Sequence, residues 1–136
     1  MVVSSGCGPS LMDEPDDFTG NSDLSIGVLC GGETVTRDGD AWAKFEIRHG
    51  QNVTVSWDAE SLDLRGGLLK RRAAGRPTTF DDSSGRRFET YWITAPPEAK
   101  VGHTVTVGPM KVPYKAASGG RQTHSSASCT FTLADE

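Results

Sequence analysis

Long apolar runs are missing from this chain. No stretch approaches the ~18 consecutive apolar residues of a membrane-crossing helix, so no membrane span is expected. The opening ten residues, Met1 to Ser10, carry neither the basic nor the apolar region of a secretory signal. An excess of positive charge is also absent: 14 Lys and Arg face 18 Asp and Glu, for a net charge of −4. That balance argues against general nucleic-acid binding. Aromatic residues make up only 7% of the chain and all apolar residues 35%, which suits a small fold whose elements are each half solvated. The nucleophile and phosphate motifs are missing too: there is no Gly-x-Ser-x-Gly elbow, no His-Glu-x-x-His and no phosphate-binding glycine loop. The expectation is therefore a protein that is not an enzyme and holds no cofactor.

What is present is a phrase repeated three times. It reads Gly32-Glu33-Thr34-Val35-Thr36, Gly50-Gln51-Asn52-Val53-Thr54-Val55 and Gly102-His103-Thr104-Val105-Thr106-Val107. In each copy a turn glycine precedes residues that are stiff at χ1 and pack well on a pleated surface. Period-2 alternation marks further strands at Leu24–Cys30, Ala43–Ile47, Phe88–Trp92 and Cys129–Leu133. Ala43–Ile47 and Val53–Trp57 are expected to form a hairpin across His49–Asn52. Asp58 to Gly85 commits to no single period, and Met110 to Ser126 reads as a loop. Seven to eight strands at turn spacings of about ten residues predict an all-β, antiparallel sandwich. Residues 1–22, with Asp13, Glu14, Asp16 and Asp17 and no Lys or Arg, predict an acidic flexible tail ahead of a domain spanning 23–136.

Tyr91-Trp92-Ile93-Thr94-Ala95-Pro96 followed by Gly102-His103-Thr104-Val105-Thr106-Val107 resembles the middle of bacterial immunoglobulin-like or fibronectin-like modules. The resemblance covers about a third of the chain. It implies an immunoglobulin-like sandwich with a role in adhesion, display or spacing, and it assigns no functional residue. The chain departs from the antibody-type pattern: Cys30 and Cys129 are far apart, and Ala127 stands where a tyrosine two residues before the second cysteine belongs.

Three cysteines leave one unpaired. Cys30 and Cys129 both fall on apparent core faces, so they are a candidate disulfide; the alternative is a pair of buried thiols acting as small hydrophobes. A disulfide here would close a long loop and imply an oxidising compartment. Cys7, after small residues, is a candidate lipidation site. The histidines His49, His103 and His124 would form a zinc site only if turns at one end of the sandwich gathered them, since none sits at ligand spacing. Asp81-Asp82, or Asp58 with Glu60, are adjacent acids of the kind usually solvated in loops. Asn52-Val53-Thr54 is a glycosylation sequon.

Arg65, Lys70, Arg71, Arg72 and Arg76, with Arg86 and Arg87 nearby, form a basic patch in an acidic protein. Two readings compete. The acidic tail could engage this patch on a neighbouring copy, or the basic residues could guard a sheet edge against unwanted strand pairing. The function expected is non-catalytic recognition through protein–protein contacts, with a protein partner or its own copies, in a larger surface assembly such as a virion or phage tail. A cell-surface lipoprotein module is the second reading and a small metal-dependent hydrolase the third. A virion surface or cell exterior is favoured over the cytoplasm. A tail packed on another copy would support assembly, and a tail folded back on its own domain would weaken it.

Overall fold

A computed structural model of the chain describes residues 13–37, 39–56, 61–74 and 85–134, with the backbone alone for Ala73 and Ala74. Every regular element among them is a strand. These are β1 (Phe18–Gly20), β2 (Leu24–Cys30), β3 (Thr34–Thr36), β4 (Ala41–His49), β5 (Thr54–Val55), β6 (Ser61–Arg65), β7 (Leu68–Ala74), β8 (Arg86–Thr94), β9 (Thr104–Lys115), β10 (Arg121–Ser125) and β11 (Cys129–Ala134). One sheet runs β1-β2-β4-β8-β7, antiparallel throughout. In the other, β9 is the spine: β10 and β11 lie along one edge, β5 and β6 along the opposite edge, and β3 follows β11 in parallel. The all-β sandwich expected from alternation is the architecture found, with one parallel pair at its margin.

Alternation in β4 and β9 builds the interior. Ala41, Ala43, Phe45 and Ile47 face inward from β4, and Val105, Val107, Met110 and Val112 face inward from β9, all buried. Each large aliphatic or aromatic side chain buried this way contributes about 1.5–3 kcal/mol. The Phe45 ring meets Tyr91 edge to face, with centroids 5.7 Å apart. Cys30 and Cys129 are joined by a disulfide that ties the end of β2 to the start of β11, across the two sheets.

Several expectations need correction. The predicted hairpin does not form: β4 belongs to the first sheet, and β5 pairs with β9 in the second. Alternation reports that a residue faces the core but not which sheet carries it. The chain instead crosses between sheets at Gly50–Val53, where Asn52 takes a φ of 65°. The region expected to be a loop after Met110 is largely strand, because β9 runs on to Lys115 and turns back as β10. Among the described residues the strands number eleven rather than seven to eight, since β1 is too short to show a period, β10 lies in the expected loop, and the middle holds two strands. The undecided middle resolves into β6 and β7, on opposite sheets, linked at Gly66-Gly67. Gly66 has a φ of +74°, and a Cβ on either glycine would run into Thr104 or Val105.

The boundary expected at residue 23 falls inside the first sheet. Phe18–Gly20 pairs with Ser25–Gly27 as an edge strand. Asn21 makes the turn between them: its Oδ1 accepts from the backbone N–H groups of Asp23 and Leu24 at 2.9 and 3.1 Å. An Asx turn of this kind needs only a short polar side chain and leaves no hydrophobic trace in the sequence.

Candidate functional site

The outward face of the first sheet carries the densest grouping of aromatic and charged side chains among the described residues. Register fixes its layout. One rung sets Gly27, Glu46 and Phe88 side by side, and another sets Trp42 beside Trp92 and Arg71. Cations lie against the rings. Arg71 sits 3.9 Å from the Trp92 centroid, Lys44 and Arg86 flank Phe88 at 5.1 and 5.2 Å, and Arg48 lies 4.2 Å from the Phe18 ring. Each such contact contributes about 0.5–1 kcal/mol when exposed and more when desolvated. Two glycines let the rings lie flat on the sheet. A Cβ on Gly27 would stand 2.7 Å from the Phe18 ring, and one on Gly31 would enter the Trp42 indole.

Glu46 points outward yet is wholly buried. Its Oε2 accepts from Arg86 Nε at 2.6 Å and from Arg48 Nε at 2.8 Å, while Oε1 meets no donor among the described residues. The hydrogen bond from Arg86 to Glu46 holds that guanidinium even more firmly in its charged form, against the opposing effect of burial.

What covers this rung is the chain's own N-terminal segment. The Asp13 carbonyl accepts from Lys44 Nζ at 2.7 Å, Glu14 Oε1 accepts from Arg86 Nη2 at 3.3 Å, and Pro15 is buried. The segment at 13–17 is thus a strap lying back on its own domain. That weakens the reading in which an acidic tail reaches a neighbouring copy. The strap covers the Glu46 end of the face, and Arg71 at the other end is exposed.

A second carboxylate is buried on the inner side of the same sheet. Glu89 is fully buried near the β7 edge. Arg72 Nε donates to its Oε1 at 2.8 Å, the Tyr91 hydroxyl donates to the same oxygen at 3.1 Å, and Arg87 Nε lies 2.9 Å from Oε2. Neither glutamate stood out in the sequence. Both occupy strand positions flanked by arginine two residues away, the pattern Glu46-Ile47-Arg48 and Arg87-Phe88-Glu89, and that spacing is the signal that would have found them.

The predicted basic patch does not form one surface. Arg65 is on the second sheet opposite Thr106. Lys70 pairs with Asp40 at 2.9 Å, Arg71 is on the outer face, and Arg72 turns inward to Glu89. Arg76 lies outside the described residues. The run sits on edge strand β7, with a register shift between Leu69 and Arg71, as expected for residues that discourage edge pairing. The histidines do not converge. His49 sits next to the Arg48–Arg86 rung, while His103 Nε2 donates to the Gly66 carbonyl at 2.6 Å, beside the Leu68–Thr94 rung. Those rungs are separated by roughly 26 Å of strand at about 3.3 Å per residue. His124 is held at the β1 corner by Thr19, 2.9 Å from its carbonyl. Among the described residues no group of three metal-ligating side chains comes together. Cys7, Asp58, Glu60, Asp81, Asp82 and Trp57 lie outside the described residues.

No protein-family model matches the chain, and no curated protein matches it. Among solved structures, a cohesin module from a family 33 glycoside hydrolase of Clostridium perfringens ATCC13124 aligns with 84% of this chain and 97% of its own, at 11% sequence identity and a TM-score of 0.47. A likeness of that size assigns neither a family nor a ligand.

Proposed function

We propose that this chain is a non-catalytic recognition module that binds an acidic, extended segment of a protein partner on the outer face of its first sheet. One observation carries the reading: the face alternates rings with cations, and the segment already lying on half of it is acidic. Asp13–Asp17 uses a main-chain carbonyl, a carboxylate and a buried proline to engage Lys44, Arg86 and the surface between them. The other half, with Trp42, Trp92 and the exposed Arg71, offers the same chemistry to a second acidic chain. Charge complementarity there favours fast and selective encounter.

The disulfide supports an oxidising setting. Display on the exterior of a cell or a virion is the setting we favour, with the face as its contact surface. The test is an NMR titration of the full chain with a peptide reading Asp-Glu-Pro-Asp-Asp-Phe. The indole N–H signals of Trp42 and Trp92 should shift and saturate, and Arg71→Glu should weaken binding about tenfold. Indole signals that do not move, or an unchanged affinity for the variant, would refute the reading.

A further inference from the structure

A second site lies on the opposite sheet, where β5, β9 and β10 meet. Lys115 stands directly across from Arg121 on one side and from Thr54 on the other. Like charges opposite each other in a sheet repel and destabilise it. A carboxylate nearby would relieve this, and the chain has more acidic than basic residues. Yet among the described residues neither Lys115 nor Arg121 has an ion-pair partner, whereas Lys70, Arg72 and Arg86 all have one. The two cations border a cleft of about 510 Å³, a size within the usual range for small-molecule sites of about 300–1,000 Å³.

The rest of the lining is neutral, with Pro113 as its apolar floor. Thr54, Ser56 and Thr123 bring hydroxyls, whereas Gln122 pairs with the buried Tyr114 and turns its amide to the inner side, where its oxygen accepts from the Tyr114 hydroxyl at 3.0 Å. The site thus combines two adjacent positive charges with a row of groups that both give and accept hydrogen bonds. Two unpaired cations fit the oxygens of an anionic ester, and Arg is suited to bind them two at a time. The hydroxyls fit the alcohols of a sugar ring. We infer that this cleft binds a sugar bearing a sulfate or phosphate ester, with Lys115 and Arg121 on the ester and Thr54, Ser56 and Thr123 on the ring.

The site is separate from the outer face of the first sheet, so either reading stands if the other fails. The test follows backbone amides of the full chain by NMR during titration with glucose 6-sulfate, glucose 6-phosphate, inorganic sulfate and glucose. Either sugar ester should shift and saturate the amides of Thr54, Lys115, Arg121 and Thr123. Binding should be at least about threefold tighter than for inorganic sulfate and far tighter than for glucose. Lys115→Gln with Arg121→Gln should weaken it by about tenfold or more while leaving the thermal midpoint unchanged or raised, since a repulsion is removed. Shifts centred elsewhere, or an affinity unaltered by the double variant, would overturn the inference. Equal affinity for inorganic sulfate would reduce the site to an adventitious ion site, and preferential sedimentation with phosphatidylglycerol vesicles would make the ligand a lipid headgroup; both results also overturn it.

Discussion

Replacing Glu89 by leucine should cost far more stability than removing any one of the groups that hold it. The carboxylate is fully buried on the inner side of the first sheet. Arg72 and Arg87 face it with side chains that are 41% and 11% exposed. When Glu89 is lost, Arg72 reaches water with little movement, but Arg87 is left as a nearly buried cation without its carboxylate. Breaking a buried pair from one side costs about 3–5 kcal/mol. With a urea dependence of about 1.5 kcal/mol per molar for a domain of this size, the midpoint should fall by about 2–3 M. Arg72→Ala leaves Arg87 and the Tyr91 hydroxyl on the carboxylate, so its loss should be about 1–2 kcal/mol.

The decisive variant is Glu89→Leu combined with Arg87→Leu. Removing both charges together avoids breaking the pair from one side, and such replacements are often neutral or stabilising. The double variant should therefore recover most of the loss. Urea unfolding followed by fluorescence, with the disulfide kept oxidised, measures all four proteins on one scale. If Glu89→Leu costs less than about 1 kcal/mol, or if the double variant is less stable than the single, then the buried carboxylate is not held as argued.

Two other perturbations probe the frame and the strap. Cys30→Ser with Cys129→Ser opens a crosslink spanning 99 residues of sequence, and should lose about 4–5 kcal/mol in the chain-entropy model, read as a drop in unfolding midpoint that matches the effect of reductant on the parent chain. Gly27→Ala places a methyl 2.7 Å from the Phe18 ring; it should lift the ring off the sheet and speed amide exchange at Thr19 and Gly20 by at least about tenfold, while β4–β8 exchange stays slow, and unchanged exchange in β1 would show that the ring is not what holds it.

The two sheets were legible because half-buried strands write a period of two into the chain. Ala43, Phe45 and Ile47, then Cys129, Phe131 and Leu133, alternate cleanly and all are buried. The same reading failed where the period had no room. A strand of three residues, such as Phe18–Gly20, holds one inward side chain at most. It also failed where sheet membership was at issue, because Val53 is buried whichever sheet its strand joins. Arg71 and Arg72 formed one patch as neighbours in sequence, but strand geometry sends adjacent side chains to opposite faces. One meets Trp92 outside and the other Glu89 inside. The basic run was read correctly as charge and incorrectly as a surface.

The acidic segment shows the converse. Its composition predicted that it would not fold alone, and nothing in the structure contradicts that, since its order comes from what it lies on. Asp13 and Glu14 are held by Lys44 and Arg86, more than 30 residues away in sequence. Local reasoning has no access to such partners. It does supply half of the answer, because residues that lack the apolar surface to fold must borrow a complementary face if they are to be ordered at all. The outer face of the first sheet has the needed features, cations flanking flat rings, and glycines at positions 27 and 31 that let rings settle onto the backbone. A face built to order one acidic segment is by the same chemistry able to order another. That links the strap, the rings and the proposed partner as consequences of a single arrangement of side chains.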